Sequence, residues 1–134
     1  MIAVDSSIAI AAYSTWHTAH HAADEALTAD AGIPAHALLE TYAGLTGFPA
    51  PYRTPAREVA RWLGERCATI LAPPTMDAHR DLAATLAHTG VIGGAAYDAL
   101  IALTAKLAGA PLVSLDRRAM ATYRLVGAEA HLLG

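Results

Sequence analysis

The sequence predicts an α/β fold, a three-layer α/β/α sandwich around a mostly parallel sheet of four or five strands. Two observations carry that expectation. Short apolar runs alternate along the whole chain with segments of helical character, the pattern of a sheet buried on both faces by crossover helices. Hydrophobic residues make up 54% of the 134 residues and charged ones only 16%, a balance that suits one compact domain with a sizeable core. No repeat, low-complexity tract or linker divides the chain, so residues 1–134 are read as a single domain.

Ile2 to Val4 forms the first apolar run and leads into Asp5-Ser6-Ser7, a trio of good N-cap residues, after which Ile8 to Tyr13 reads as helix. Trp16 to Ala29 has helical character, with Ala19, Ala22, Ala23, Ala26 and Leu27 on one side, and Asp30-Ala31-Gly32 is expected to stop it. Ile33 to Ala35 fits a second strand and His36 to Gly47 a helix. Pro49 and Pro51, in Phe48-Pro49-Ala50-Pro51-Tyr52, then force a loop. Thr54 as cap and Pro55 at the first helical position predict an amphipathic helix to Arg66, with Val59, Trp62 and Leu63 on its apolar side.

Ala68 to Ala72 suits a third, buried strand closed by Pro73-Pro74, and Thr75 caps a helix to about His88. Gly90, Gly93 and Gly94 break the chain before a long helix from about Ala95 to Ala108, which Gly109-Ala110-Pro111 ends. Leu112 to Leu115 is a fourth strand, Asp116 opens a short helix to about Tyr123, and Ala128 to Leu132 is a candidate fifth strand.

Composition limits the function. The formal charge of −3, from 12 acids against 9 Lys and Arg, gives no bulk positive field toward nucleic acid or membrane, so any nucleic-acid contact must be local. Cys67 is the single cysteine and has no disulfide or zinc partner, which fits a cytoplasmic location. The N-terminus lacks the features of a secretory signal. The most apolar stretch, Val91 to Leu103, is interrupted by Asp98 and falls short of the roughly 18 residues that span a bilayer.

Four acids stand out. Asp5 and Asp116 each follow a strand, so a parallel sheet delivers both to its carboxyl edge, where ligands bind in such folds. Each also has an ordinary explanation as a helix cap. Glu40 and Asp98 lie in apolar helical segments and read as having no basic residue within four positions and no local partner. An unpaired carboxylate in such surroundings is costly unless a cation or donors compensate; the ordinary reading is an exposed acid in a gap of the apolar face. Both fall in the first turns of helices, Glu40 after the second strand and Asp98 before the fourth, so the four are expected to share one pocket. Joint ionisation of like charges implies a cation, and an all-oxygen set suits Mg²⁺ or Mn²⁺. Such an ion activates water and stabilises charge on a phosphodiester.

Through Val4-Asp5-Ser6-Ser7, Leu38-Leu39-Glu40-Thr41, Ala96-Tyr97-Asp98-Ala99-Leu100-Ile101-Ala102 and Leu112-Val113-Ser114-Leu115-Asp116-Arg117-Arg118-Ala119, the chain resembles the PIN domain family. Within it, the chain resembles the VapC-type toxins of bacterial toxin–antitoxin pairs. The resemblance spans nearly the whole chain and rests on the ordered set of acids. It implies a Mg²⁺- or Mn²⁺-dependent endoribonuclease acting on RNA and held inactive by a cognate antitoxin protein. It also implies roles: Asp5 and Asp98 as direct metal ligands, with Glu40 and Asp116 completing the catalytic acids. Ser114 stands where the family more often has Thr, which keeps the hydroxyl, and Asp116 matches the least uniform acid of the family.

Arg117 and Arg118 beside Asp116 are the preferred RNA-binding residues. Arg53, Arg57 and Arg61 are read either as a second basic ridge or as partners of Glu58 and Glu65. Phe48, Pro49, Pro51 and Tyr52 either cover the core or form an apolar loop for antitoxin binding or for a homodimer. His17, His20 and His21 are read as a solvated helix face rather than a metal site. Phosphate-binding glycine motifs are missing. Two other functions compete: a phosphoaspartate hydrolase with Asp5 as nucleophile, disfavoured because Ser7 stands where a second Asp is usual, and a catalytically silent PIN-like domain that binds RNA or protein.

Overall fold

A computed structural model describes all residues from Met1 to Gly134. Five short strands form one all-parallel sheet: β1 (Ala3–Val4), β2 (Gly32–Pro34), β3 (Thr69–Leu71), β4 (Leu112–Ser114) and β5 (Ala130–Leu132), in the order β3-β2-β1-β4-β5. Seven helices join them: α1 (Ser6–Tyr13), α2 (His20–Ala26), α3 (Ala35–Gly47), α4 (Ala56–Arg66), α5 (Met76–Thr89), α6 (Ala95–Leu107) and α7 (Arg117–Leu125). The expected α/β class and the fifth strand are both present.

The strand order explains the layers. The chain walks outward from β1 to β2 and β3, then returns to start again at β4 on the other side of β1. Right-handed crossovers in opposite directions put the connecting helices on opposite faces. Accordingly α1, α2, α3 and α4 pack among themselves, as do α5, α6 and α7, while α3 and α6 also meet each other. The core between these layers is built from small and branched residues, among them Val4, Ile8, Ile33, Leu45, Val59, Ile101 and Leu112, all essentially inaccessible.

Several local expectations change. The helix predicted from Trp16 to Ala29 shortens to His20–Ala26, because Trp16 and His17 lie in turns and the Ala19 N–H is taken by the His17 ring, 3.0 Å away. Gly32 is not a helix stop but the buried first residue of β2; a Cβ there would lie 2.8 Å from a Leu71 methyl, so glycine permits the close approach of β2 and β3. Thr54 does not cap α4, whose preceding residue is Pro55. Thr75 does cap α5, accepting from the Ala78 N–H at 3.1 Å.

The third strand was expected to be buried, yet Thr69 and Ile70 are exposed and only Leu71 is covered, because β3 is a sheet edge. The Phe48–Tyr52 loop folds onto Trp16, whose ring lies 5.7 Å from Phe48 and 4.6 Å from Tyr52. Phe48 packs on the core. Cys67 is buried and free, its thiol pushed up to about 11 by desolvation. No helix is long and apolar enough to cross a membrane.

Candidate active site

The reversal of strand order falls between β1 and β4, and such a switch point opens a crevice at the carboxyl ends of the strands. β1 ends at Val4, paired with Val113 of β4, so Asp5 leaves the sheet level with Ser114, and Asp116 follows two residues later at the same carboxyl edge. Glu40 comes from α3, which rises directly from β2, and Asp98 from the first turn of α6. The topology thus brings the four carboxyl-bearing elements to one edge.

Asp5 forms the floor. Its side chain is 2% exposed and is fixed by four donors. Oδ1 accepts from the N–H groups of Ser7 (3.0 Å) and Ile8 (3.3 Å) and from the Ser7 hydroxyl; Oδ2 accepts from the Tyr123 hydroxyl at 2.8 Å. The cap role weighed for Asp5 is therefore real, and it uses only one of the two oxygens. Burial, then the Asp5 charge, push the Tyr123 phenol far above its ordinary value, so it stays protonated and donates.

Ser7 and Ser114 join the two strand ends. The Ser7 hydroxyl spends its proton on Asp5 and accepts from the Leu115 N–H at 2.8 Å. Its 3.3 Å contact with the Ser114 hydroxyl therefore has Ser114 as donor. Ser114 in turn accepts from the Asp116 N–H at 2.9 Å. The supporting hydroxyl expected at Ser114 thus acts on the backbone of Asp116 and on Ser7, linking β4 to Asp5.

Asp116 also has its cap role, accepting from the Arg118 N–H at 3.0 Å, while the Arg118 guanidinium lies 3.6 Å from its other oxygen. Arg117 and Arg118 are both exposed at this side of the crevice. Arg53 instead donates to the Phe48 carbonyl at 3.0 Å, and neither Arg57 nor Arg61 pairs with Glu58 or Glu65.

Glu40 and Asp98 are half-buried. Desolvation raises the Glu40 carboxyl, and the charges of Asp98 and then Asp5 raise it further, with the Ser6 side chain opposing. Desolvation likewise raises Asp98, followed by the charges of Asp116 and Asp5, with Arg118 opposing. The four acids therefore feel one another across a shared space. Glu40 is not without a neighbour, as its lack of Lys or Arg suggested: His36, one turn earlier, places Nε2 3.9 Å from its Oε2. The His36 ring stacks at 9° on Tyr97 with centroids 5.0 Å apart.

No three of these acids and histidines stand close enough to grip one ion as the side chains lie. The physical reason is visible: Asp5 is turned to Tyr123 and its own helix, and Asp116 to the start of α7. The donor chemistry nevertheless fits a hard cation, with oxygen donors only and a single opposing guanidinium at the rim. None of the five surface clefts is lined by any of the four acids. The His17, His20 and His21 group makes no metal cluster: His20 bonds the Ala11 carbonyl at 2.9 Å and His21 pairs with Glu25 at 3.2 Å.

Sequence reasoning named Asp5, Glu40, Asp98, Asp116 and Ser114 but missed the parts played by Tyr123, Ser7, His36 and Tyr97. The i, i+4 spacing of His36 and Glu40 was a readable signal. Nothing in the sequence marks Tyr123, which reaches Asp5 across 118 positions.

The PIN domain profile matches residues 2–125. The chain is 40% identical over 133 residues to Ribonuclease VapC40 of Mycobacterium tuberculosis, covering 99% of each protein. It is 41% identical over 128 residues to Ribonuclease VapC27 of the same species, covering 94% of this chain and 92% of that one. With its five-stranded parallel sheet and acids at the strand-order switch, the chain belongs to the PIN domain family.

Proposed function

We propose that the chain is a Mg²⁺- or Mn²⁺-dependent endoribonuclease and the toxin of a toxin–antitoxin pair, acting in the cytoplasm. The observation that carries the nuclease reading is the convergence of Asp5, Glu40, Asp98 and Asp116 on one crevice, with Glu40 and Asp98 raised by burial and by their acidic neighbours. Two ribonucleases similar over nearly their whole length support it. They also support the pairing with an antitoxin protein; a homodimer is part of the same proposal.

When bound, the cation activates water and offsets charge on the phosphodiester. Asp5 and Asp98 are the residues that would hold it, with Glu40 and Asp116 completing the acidic ring. The rest of the work belongs to the chain. Tyr123 and Ser7 donate to the two oxygens of Asp5 and anchor its side chain at the carboxyl end of β1. Glu40, whose raised pKa makes it a better base than an ordinary carboxylate, takes a proton from the attacking water. Arg117 and Arg118 draw the phosphate backbone to the Asp116 side, supplying the local positive charge that the net composition lacks.

Cleavage of total RNA with added Mg²⁺ or Mn²⁺, after removal of any bound partner, tests this. Asp5→Asn and Asp98→Asn are expected to lower the rate by at least about a hundredfold while melting cooperatively, since Asn can take over the cap at position 5 and Asp98 caps no helix. Undiminished cleavage by both variants would sink the assignment. Wild-type protein that binds RNA but never cuts it favours the silent-domain reading, to which the double hydrogen-bond commitment of Asp5 lends some weight.

A further inference from the structure

The stacked pair His36–Tyr97 has no part in the reaction just described, yet it sits against the acids. His36 precedes Glu40 by one turn on α3, and Tyr97 precedes Asp98 on α6. The rings are parallel to within 9° at 5.0 Å between centroids. Tyr97 remains 55% exposed, a large planar surface left to solvent at the rim of a polar crevice. No hydrogen bond to another residue ties its hydroxyl down. Packing accounts for His36 better than for Tyr97: the histidine is partly covered and holds the tyrosine ring in one orientation, which lowers the entropy lost when a third ring stacks on it.

The charge layout decides what that third ring is. The acids repel phosphate across the middle of the crevice, and the exposed cations Arg117 and Arg118 lie on the Asp116 side. The surface where α3 meets the start of α6 offers the flat Tyr97 ring instead of an arginine. A strand of RNA laid across such a crevice meets its phosphates with arginine at one end and a nucleobase with an aromatic face at the other.

We propose that Tyr97, held in place by His36, is a base-stacking platform for an unpaired nucleotide of the RNA substrate next to the scissile phosphate. Every base has a π-face, so the platform selects single-stranded over paired RNA more than one base over another. The inference rests on the nuclease reading above and adds the class of RNA that the site accepts.

The test uses the full chain freed of any partner, with a short single-stranded oligoribonucleotide carrying 2-aminopurine at successive positions. Binding is read by fluorescence without divalent metal, and cleavage by steady-state kinetics with Mn²⁺. Wild type is expected to quench the probe at one position, and Tyr97→Ala to lose that quench and raise KM roughly tenfold with kcat within about twofold. Tyr97→Phe, which keeps the ring, restores both, and His36→Ala gives a smaller rise in KM. Unchanged quench and KM in Tyr97→Ala, while Asp98→Asn loses cleavage, overturns the platform and leaves the nuclease reading standing. Tyr97-dependent quench without cleavage by wild type upholds the platform and overturns the nuclease reading. Unchanged RNA binding in Tyr97→Ala combined with weaker binding of a purified protein partner assigns the rings to protein recognition and also overturns the proposal.

Discussion

Tyr123 is the residue on which the floor of the site most depends. Its buried hydroxyl is the only donor to Asp5 Oδ2 and comes from the far end of the chain. Tyr123→Phe leaves a charged oxygen without its donor while preserving the ring's packing. A cost of about 1.5–3 kcal/mol is expected, read as a lower midpoint in urea. The variant is also expected to lose activity more than that change in stability explains, because Asp5 is then free to turn. Wild-type stability and rate would show that water replaces the phenol at no cost. Sequence alone pointed to the acids through their neighbours: Glu40 and Asp98 stood out against apolar surroundings. It was silent on Tyr123 because a hydrogen bond between residues 5 and 123 leaves no local pattern. Ser7 was visible only as one of three capping residues, and its second role exists only once β1 and β4 lie side by side.

At the level of elements, the strands owe their placement to small residues as much as to apolar ones. Gly32 begins β2, and β2 leads without a loop into α3, which carries both His36 and Glu40. Gly32→Ala drives a methyl to 2.8 Å from Leu71 Cδ2 and 3.0 Å from its Cγ. Either Leu71 leaves its rotamer or β2 shifts from β3, and overpacking of this kind costs about 1–3 kcal/mol. Thermal melting is expected to show a lower midpoint, accompanied by a loss of cleavage if α3 moves with β2. An unchanged midpoint would mean that the edge strand β3 yields freely. Helix identities were legible from caps and punctuation: Asp5, Thr75 and Asp116 all cap as their positions suggest. The reading failed at Trp16–Ala29, where alanine content resembles a helix but the Trp16 ring is drawn against Phe48 and Tyr52. It failed again at β3, whose apolar composition could not reveal that it would be an edge.

Over the whole molecule, a ring of like charges at the sheet switch is a stability cost that ligands or protons relieve. The folded pKa values of Glu40 and Asp98 lie above their unfolded ones, so the folded state holds protons more tightly. The cost is present above the folded pKa and fades as pH falls through it. The Glu40→Gln, Asp98→Asn double variant is therefore expected to melt above wild type at neutral pH, by roughly 3 °C for about 1 kcal/mol after solvent screening. The gap should close on acidification and also on adding Mg²⁺, which stabilises only the protein that binds it. A variant that melts below wild type at neutral pH would contradict this account. The sequence by itself determined the fold class and the order of strands and helices, because caps, prolines and apolar runs act over a few residues, and it singled out four acids as candidates. Only the tertiary structure decided which strand became an edge, how Tyr123 and Ser7 hold Asp5, and that His36 and Tyr97 stack beside the acids. Those outcomes depend on contacts between elements far apart in the chain, whose energies become available only when the sheet assembles.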